Sequence, residues 1–321
     1  MCLTLDTQLP RPARATIYRS TGHAGPAGPA AAGLSLHDLG RRAARPLLGQ
    51  LAHLFGRVSD GFGILMYHRV CPLPAGFPEL AGNVSPERFR AQLGGLLDRG
   101  YQPWPLQRAL AAAAADQAPP PGTFVVTFDD GYENLHQHAW PVLRELGVPA
   151  TVFLATAYLG SADPFPFDDW TGAGAAPTDT WRPLTRRQCD ELLADGLVEL
   201  GCHTHTHQVF CGRPAALAAD LAAATSVLRK AFGLTAPTFA FPYGICDPEM
   251  LAVARMAGLR CALTTETELV QSGADPFGWG RFHVEQADTA DTLAGYIGGW
   301  YQLARRLSRR LWPASVARSA T

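Results

Sequence analysis

The stretch TFVVTFDDGY, residues 123–132, decides the fold. Its first six residues are apolar or β-branched, which predicts a buried strand, and the strand ends abruptly in Asp129, Asp130 and Gly131. In barrels of alternating strands and helices, catalytic groups lie at the carboxyl ends of the strands. Side chains of adjacent residues at a strand end point in different directions, so one carboxylate can hold a metal while the other stays a free base. The alternative is a polar turn that caps a helix.

Strand and helix patterns alternate on both sides of this stretch. Helices are predicted to begin at Ser85, Thr185 and Asp247, which have the side chains preferred at helix N-caps, and to end at glycines. Short apolar runs between them predict further strands at 64–67, 149–154, 197–202, 238–242 and 260–264. This alternation predicts βαβ units with a parallel sheet, and the number of repeats favours a closed or nearly closed barrel over an open sheet.

The composition argues against several other classes of protein. The formal net charge of the 321 residues is −1, so no overall field attracts nucleic acid or acidic polymers. No glycine-rich phosphate loop follows the first predicted strand, which disfavours a nucleotide-binding protein. The seven cysteines are odd in number and contain no CxxC pair, so neither a disulfide framework nor a zinc ribbon is expected.

The two ends of the chain differ from its centre in the structure that their sequences predict. We expect residues 1–58 to form a mobile tail and a short helix, residues 59–299 the main domain, and residues 300–321 a basic amphipathic tail. The terminal helix either packs on the domain with a solvated basic side or contacts an anionic membrane surface. No signal peptide or membrane span is recognised, so a cytoplasmic or membrane-peripheral location is the default expectation.

A cluster of histidines follows another predicted strand. The run Val198–Cys202 leads into HTHTH, in which His203 and His207 are four residues apart. This spacing brings two imidazoles onto one ion if the chain turns into a helix after His203. Two histidines and one aspartate leave positions on a metal open for water and substrate, as in catalytic sites. The alternative is a set of structural histidines.

A third segment, FAFPYG at residues 239–244, combines an apolar strand with a turn. We expect it to present a backbone N–H, that of Tyr243, and an aromatic ring at the mouth of a pocket. Such a donor can stabilise the oxyanion of a tetrahedral intermediate. Taken alone, the segment is only a strand and a turn.

Together, TFDDGY, HTHTH and FAFPYG resemble in order and spacing the polysaccharide deacetylase family, which is carbohydrate esterase family 4 of the NodB-homology group. The resemblance extends over roughly residues 60–290. It implies an α/β fold, a distorted (β/α)7-type barrel of the NodB-homology kind. It also implies a divalent metal held by Asp130, His203 and His207, with Asp129 as the general base. Zinc is the first expectation for such ligands, with cobalt, nickel or iron as alternatives.

The proton donor to the leaving group departs from the usual family pattern. Many members carry this histidine late in the chain, in a Leu-x-His motif that has no convincing equivalent here. The first strand instead contains ILMYHRV, residues 64–70, and resembles the circularly permuted branch of poly-β-1,6-N-acetylglucosamine deacetylases. That resemblance implies His68 as the acid. His283 is the competing candidate, and His205 is a weaker one.

Two further segments depart from the family. Ala240 stands where many members carry an arginine that orients the base carboxylate. We expect Arg281 to replace it, and the alternative for Arg281 is a residue at the edge of a surface strand. The segment FPFDDW, residues 165–170, offers an aromatic wall for a sugar ring. The family has an Asp-Trp pair at a different point in the order, so no role is carried over.

The resemblance implies an enzyme that hydrolyses acetyl groups on an acetylated carbohydrate. The main expectation is N-deacetylation of an N-acetylhexosamine polysaccharide or glycoconjugate. An O-acetyl esterase on the same scaffold and a non-catalytic carbohydrate-binding relict are the alternatives. An ester leaves without help from an acid, whereas an amide nitrogen needs a proton, so loss of His68 distinguishes the two reactions.

Overall fold

The computed structural model describes residues 47, 49–72, 82–168 and 177–311 of the chain. Its strands are, in chain order, β1 Gly63–Tyr67, β2 Arg69–Val70, β3 Asn83–Val84, β4 Gln102–Pro103, β5 Thr123–Phe128, β6 Ala150–Leu154, β7 Val198–Cys202, β8 Ala262–Leu263, β9 Phe277–Trp279 and β10 Phe282–His283. Its α-helices are α1 at residues 49–55, α2 Pro86–Asp98, α3 Leu106–Ala114, α4 Trp140–Leu146, α5 Arg186–Ala194, α6 Pro214–Phe232, α7 Pro248–Met256, α8 Ala290–Ile297 and α9 Trp300–Leu311.

A parallel sheet forms the centre of the fold. Its strand order is β10-β1-β5-β6-β7, and β4 also pairs with β5. In the register of this sheet, Leu65 of β1 lies opposite Val126 of β5 on one side and Phe282 of β10 on the other. Parallel neighbours need long crossover connections, which the helices supply. The predicted α/β fold with a parallel sheet is therefore confirmed.

Beyond β7, the sheet continues through isolated pairs. Phe239 pairs in parallel with Cys202 at the end of β7, and Ala240 pairs in parallel with Leu263 of β8. β8 pairs with β9, and β10, which follows β9 after two residues, pairs with β1. The chain from β9 to β10 thus connects the two ends of the sheet in the manner of a distorted barrel. No continuous ladder runs around the whole ring of described strands.

Successive side chains of β5 point to opposite faces of the sheet and pack into two different apolar clusters. Phe124, Val126 and Phe128 belong to the largest core cluster, which also contains the buried faces of α2, α5 and α6. Val125 points to the other side, into a smaller cluster inside the curved sheet that includes Ile64. A strand that is buried on both faces explains why the sequence of β5 is a continuous apolar run.

The predicted helix starts are observed. Ser85 and Asp247 each accept a hydrogen bond from the backbone N–H three residues further on, at the beginnings of α2 and α7. Thr185 and Gln188 form a reciprocal capping box at the beginning of α5. These bonds satisfy N–H groups that have no partner within a helix, so the helices begin at the predicted residues.

Parts of both predicted tails lie outside the described residues, at 1–46 and 312–321. The terminal helix α9 packs on the domain, where Trp300 Nε1 donates to the Gly56 carbonyl oxygen at 2.7 Å and Tyr301 lies against the core. This packing is the first of the two alternatives given above, and membrane contact has no support. Within the described part of the chain, no helix combines the length and apolar character that crossing a bilayer requires. The domain boundaries at 58 and 299 stay predictions.

Candidate active site

Asp129 lies inside the curved sheet and is bound by a buried arginine. Arg281, in the connection between β9 and β10, donates two parallel hydrogen bonds to the carboxylate of Asp129, at 2.6 and 2.8 Å. Both residues are buried. Burial, the largest single influence, would raise the pKa of Asp129, but the charge and hydrogen bonds of Arg281, together with the nearby imidazoles of His203 and His68, outweigh it and hold this pKa below its ordinary value. The carboxylate is therefore ionised at neutral pH, which is the form that accepts a proton.

Arg281 reaches this carboxylate from the connection between β9 and β10, and not from position 240. Its Nε donates to the Thr264 carbonyl oxygen at 3.0 Å, and its Nη1 to Thr127 Oγ1 at 3.3 Å. Ala240, where many members of the resembling family carry an arginine, has only a buried methyl side chain here. The structure thus places the residue expected as the replacement in contact with Asp129. Its effect on catalysis stays a prediction.

Asp130, the other carboxylate, lies beside two histidines. Its Oδ1 is 3.1 Å from His207 Nε2 and 3.5 Å from His203 Nε2. Within the described part of the chain, these three buried residues are the group whose ligand atoms lie close enough to hold one metal ion, all within 4.8 Å of one another. The adjacent carboxylates therefore have different partners, an arginine for Asp129 and two imidazoles for Asp130.

The turn that carries the histidines is not helical, so the helical turn after His203 that was the condition for their spacing is absent, although the two imidazoles still converge. Thr204 and His207 have positive φ angles, 65° and 57°, in a tight loop. Thr204 Oγ1 accepts a hydrogen bond from the His207 N–H at 2.9 Å. The Asp220 carboxylate of α6 accepts hydrogen bonds from the N–H of His205 and of the next residue. A left-handed loop held by two side chains, rather than helical spacing, brings the imidazoles together.

The protonation of His203 fits a metal ligand. Its Nδ1 lies 2.8 Å from the Ala240 carbonyl oxygen, which can only accept, so Nδ1 carries the proton and Nε2 presents a lone pair toward Asp130. Burial lowers the pKa of His203 to about 4, although the nearby carboxylates oppose this shift, so the ring is neutral. Neutral imidazole nitrogens and a carboxylate oxygen are ligands of zinc and similar cations. The residues present therefore fit the metal that the family resemblance implies.

Left-handed backbone is concentrated at this site. In the described part of the chain, five residues other than glycine have positive φ, and four of them lie in the three sequence motifs: Asp130, Thr204, His207 and Tyr243. Each such conformation costs about 1–3 kcal/mol and persists only where the surrounding structure enforces it. Strained backbone of this kind clusters at functional sites, which supports a functional role for the three motifs.

One candidate for the acid, His68, lies within the field of the two carboxylates, and the other, His283, contacts its ring. The rings of His68 and His283 meet edge to face, with their centroids 5.4 Å apart. Burial lowers the pKa of His68, and the charges of Asp130 and Asp129 partly oppose that shift. The field of the two carboxylates thus reaches His68. His205 is turned elsewhere, since its Nδ1 lies 2.9 Å from the hydroxyl of a threonine at the end of β6.

Several contacts at the site were not predicted from the sequence. The ring of Phe167 stacks on that of His207, with centroids 3.7 Å apart, and the Tyr243 ring lies against the same imidazole at 5.0 Å. Asp168 forms a buried ion pair with Arg69 at 2.6 Å. The aromatic and acidic segment at 165–170 was the available signal, but its partners lie far away in the sequence. Its last two residues are outside the described part of the chain.

Comparison with known proteins agrees with this geometry. The sequence pattern of the polysaccharide deacetylase family matches residues 116–262, which contain Asp129, Asp130, His203 and His207. The protein YxkH of Bacillus subtilis, which bears the name of a polysaccharide deacetylase, is 25% identical over 238 residues, 73% of this chain and 75% of YxkH. By these matches, the chain resembles the polysaccharide deacetylase family.

The chain is also similar to a protein of the IcaB type and to a deacetylase whose name states its substrate. The structure of IcaB from Ammonifex degensii is 27% identical with a TM-score of 0.63, and the match covers 75% of this chain and 98% of IcaB. The poly-β-1,6-N-acetyl-D-glucosamine N-deacetylase of Staphylococcus aureus is 24% identical over 161 residues. That match covers 47% of this chain and 51% of the staphylococcal enzyme.

The ion pair between Arg281 and Asp129 predicts a large effect on stability. In metal-free protein, Arg281→Met should lower the free energy of unfolding by about 3–5 kcal/mol, because it leaves a buried carboxylate without its counter-charge. The double variant with Asp129→Asn should lose clearly less, since no unpaired charge remains. Urea unfolding followed by fluorescence measures both changes.

The matched control for this experiment is Arg255→Met. Arg255 pairs with Asp275, and both side chains are about half exposed, at 45% and 56%. This substitution should cost about 0–1 kcal/mol. Equal losses for Arg281→Met and for the double variant would show that the buried ion pair does not stabilise the site.

Proposed function

We propose that this chain is a divalent-metal-dependent hydrolase that removes acetyl groups from the nitrogen of N-acetylhexosamine units in a polysaccharide or glycoconjugate. The observation that carries the proposal is the convergence of Asp130, His203 and His207 beside an arginine-bound Asp129, in a segment that matches the polysaccharide deacetylase family. The substrate class is supported by the staphylococcal relative, whose name states poly-β-1,6-N-acetyl-D-glucosamine as its substrate.

The proposed metal site divides the work between the two carboxylates. Asp130, His203 and His207 would hold the metal through one oxygen and two Nε2 atoms, and zinc is the first candidate, with cobalt, nickel or iron as alternatives. When bound, a divalent cation polarises a carbonyl group and lowers the pKa of water in its coordination sphere. Asp129 accepts the proton of the attacking water, because Arg281 keeps it ionised and fixed in orientation.

The leaving amine requires a proton, and His68 is the proposed donor. An amine anion is a very poor leaving group, so amide cleavage depends on this proton transfer. His68 is preferred over His283 because the resemblance to the permuted deacetylases implies it, and because the charges of Asp130 and Asp129 partly oppose the lowering of its pKa by burial. The backbone N–H of Tyr243 is the proposed hydrogen-bond donor to the oxyanion of the tetrahedral intermediate.

The direct test is acetate release from β-1,6- and β-1,4-linked N-acetylglucosamine oligomers. Zinc-loaded protein should release acetate, chelator-treated protein should not, and added zinc should restore the activity, because the metal supplies the Lewis acid. An enzymatic acetate assay, with metal content measured on the same samples, follows all three states.

Each of the other outcomes of this assay would assign a different function to the chain. Metal-dependent release from an O-acetylated sugar, with none from the oligomers, would assign the chain as an esterase on the same scaffold. No release and no bound metal would leave a non-catalytic carbohydrate-binding relict. Full activity in protein shown to be metal-free would contradict the proposal.

Asp129→Asn should separate metal binding from catalysis. The variant should bind one zinc per chain, because Asp129 is not among the proposed ligands, while turnover should fall by about 10²–10⁴-fold, as expected for loss of a general base. Metal content and acetate release are measured on the same preparation. The control is Asp190→Asn, which alters an exposed aspartate on α5 and should leave both unchanged. Full turnover of Asp129→Asn would exclude Asp129 as the base.

A further inference from the structure

We infer that Phe167 is a positioning residue for His207, and that the buried ion pair between Asp168 and Arg69 holds Phe167 in place. The inference rests on the proposed function, because it takes His207 to be a metal ligand. It concerns the loop between β6 and α5, which none of the three sequence motifs includes.

The two histidines of the site are oriented by different means. The Nδ1–H of His203 donates to a backbone carbonyl oxygen, which is the usual way to fix a ligating imidazole. The Nδ1 of His207 is buried and has no hydrogen-bond partner among the described residues. Rings surround it instead: Phe167 stacks on one face at 3.7 Å and 22°, and Tyr243 meets it at 5.0 Å and 68°. Apart from the contact of its Nε2 with Asp130, the orientation of the His207 ring therefore depends on aromatic contacts.

Stacking on Phe165 holds Phe167 in this position. Phe165 is buried and packs against the ring of Tyr132 at 4.9 Å and the ring of Tyr158 at 5.4 Å. Phe167 in turn stacks on Phe165, with centroids 5.0 Å apart and 28° between the planes. Aromatic pairs contribute beyond the apolar area that they bury, so this cluster fixes the loop and with it the ring against His207.

The residue after Phe167, Asp168, provides a second anchor through a buried ion pair with Arg69. Asp168 and Arg69 are 2.6 Å apart, with side-chain exposures of 0% and 6%. Arg69 also donates to the Tyr132 hydroxyl at 2.6 Å, and its guanidinium lies 4.1 Å from the centre of that ring. An ion pair removed from water is stable only in a well-defined geometry, so it fixes the loop against the residue that follows His68.

The loop thus connects the proposed acid to the proposed metal ligand. Arg69 is the direct neighbour of His68 in the chain, and Phe167 is the neighbour of Asp168. Phe165, Phe167 and Asp168 therefore act as one unit. This unit is anchored next to His68, through the ion pair of Asp168 with Arg69, and it orients the ring of His207 through Phe167. Contacts that orient a ligating histidine change metal affinity, although they never touch the metal.

The test compares metal affinity in four variants with that of the parent protein. Phe167→Ala removes the ring, Phe167→Leu keeps apolar volume without a ring face, Phe167→Tyr keeps the ring, and Asp168→Asn weakens the anchor. Zinc dissociation constants are measured by competition with a chromophoric chelator, and the absorption spectrum of the cobalt-substituted protein reports the ligand geometry. The matched control is Phe277→Ala, a half-buried phenylalanine on β9 away from the site.

We expect Phe167→Ala and Phe167→Leu to weaken zinc binding about tenfold and to change the cobalt spectrum. Phe167→Tyr should restore the parent values, Asp168→Asn should change them in the direction of the alanine variant, and Phe277→Ala should leave them unchanged. Thermal unfolding of the metal-free proteins verifies that each variant folds, and the leucine variant carries the test if the alanine variant does not.

Two results would overturn the inference, and they are distinguishable from failure of the proposed function. If Phe167→Ala and Phe167→Leu bind zinc with parental affinity and spectrum while KM for the oligomers rises, Phe167 contacts the sugar and does not position His207. If the parent protein itself binds no zinc, the proposed function fails and the inference fails with it. Unaltered zinc binding and unaltered KM in both variants would also exclude a positioning role.

Discussion

The buried ion pair between Arg281 and Asp129 determines how the site is built. A carboxylate inside the curved sheet would lose its charge by protonation unless a counter-charge compensated for the loss of water. Arg281 provides that charge through two parallel hydrogen bonds, and it joins the end of β5 to the connection between β9 and β10. The same contact therefore links the middle of the sheet to its end and keeps an ionised carboxylate in the interior. The connection between β5 and the end of the sheet and the charge of Asp129 thus depend on the same two hydrogen bonds.

Backbone conformation separates the tasks of the two adjacent carboxylates. Asp130 and Gly131 both have positive φ, 70° and 84°, immediately after β5. Glycine adopts this conformation without strain, and a Cβ at Gly131 would lie 2.6 Å from a methyl carbon of Leu154, which would have to move. This left-handed turn directs Asp129 toward Arg281 and Asp130 toward the imidazoles. The strain is offset by the buried contacts that the two carboxylates make.

The sequence predicted those features that depend on local patterns. The buried strand ending in two aspartates, the capped helix starts at Ser85 and Thr185, and the parallel sheet all follow from residue periodicity and side-chain preference. The contact of Arg281 with Asp129 was anticipated because Ala240 cannot make it. The family resemblance identified the residues that converge at the site, Asp130, His203 and His207.

Features that depend on distant contacts were not predictable in the same way. The positive φ angles of Thr204 and His207 have no signal in residue type, and they are enforced by Asp220, which lies on α6. The predicted strand at 238–242 is reduced to two isolated pairs, of Phe239 with Cys202 and of Ala240 with Leu263. The stacking of the aromatic loop on the site arises only when segments about forty residues apart in the chain meet.

The central claim is that one divalent cation binds through Asp130, His203 and His207, while Asp129 remains with Arg281. The most direct measurement is a crystal structure of zinc-loaded protein, with anomalous difference maps recorded on both sides of the zinc absorption edge. The account predicts one peak per chain, bonded to a carboxylate oxygen of Asp130 and to both Nε2 atoms, with the two hydrogen bonds from Arg281 to Asp129 intact. A zinc ion bound by Asp129, or the lack of any peak between the two histidines, would contradict it.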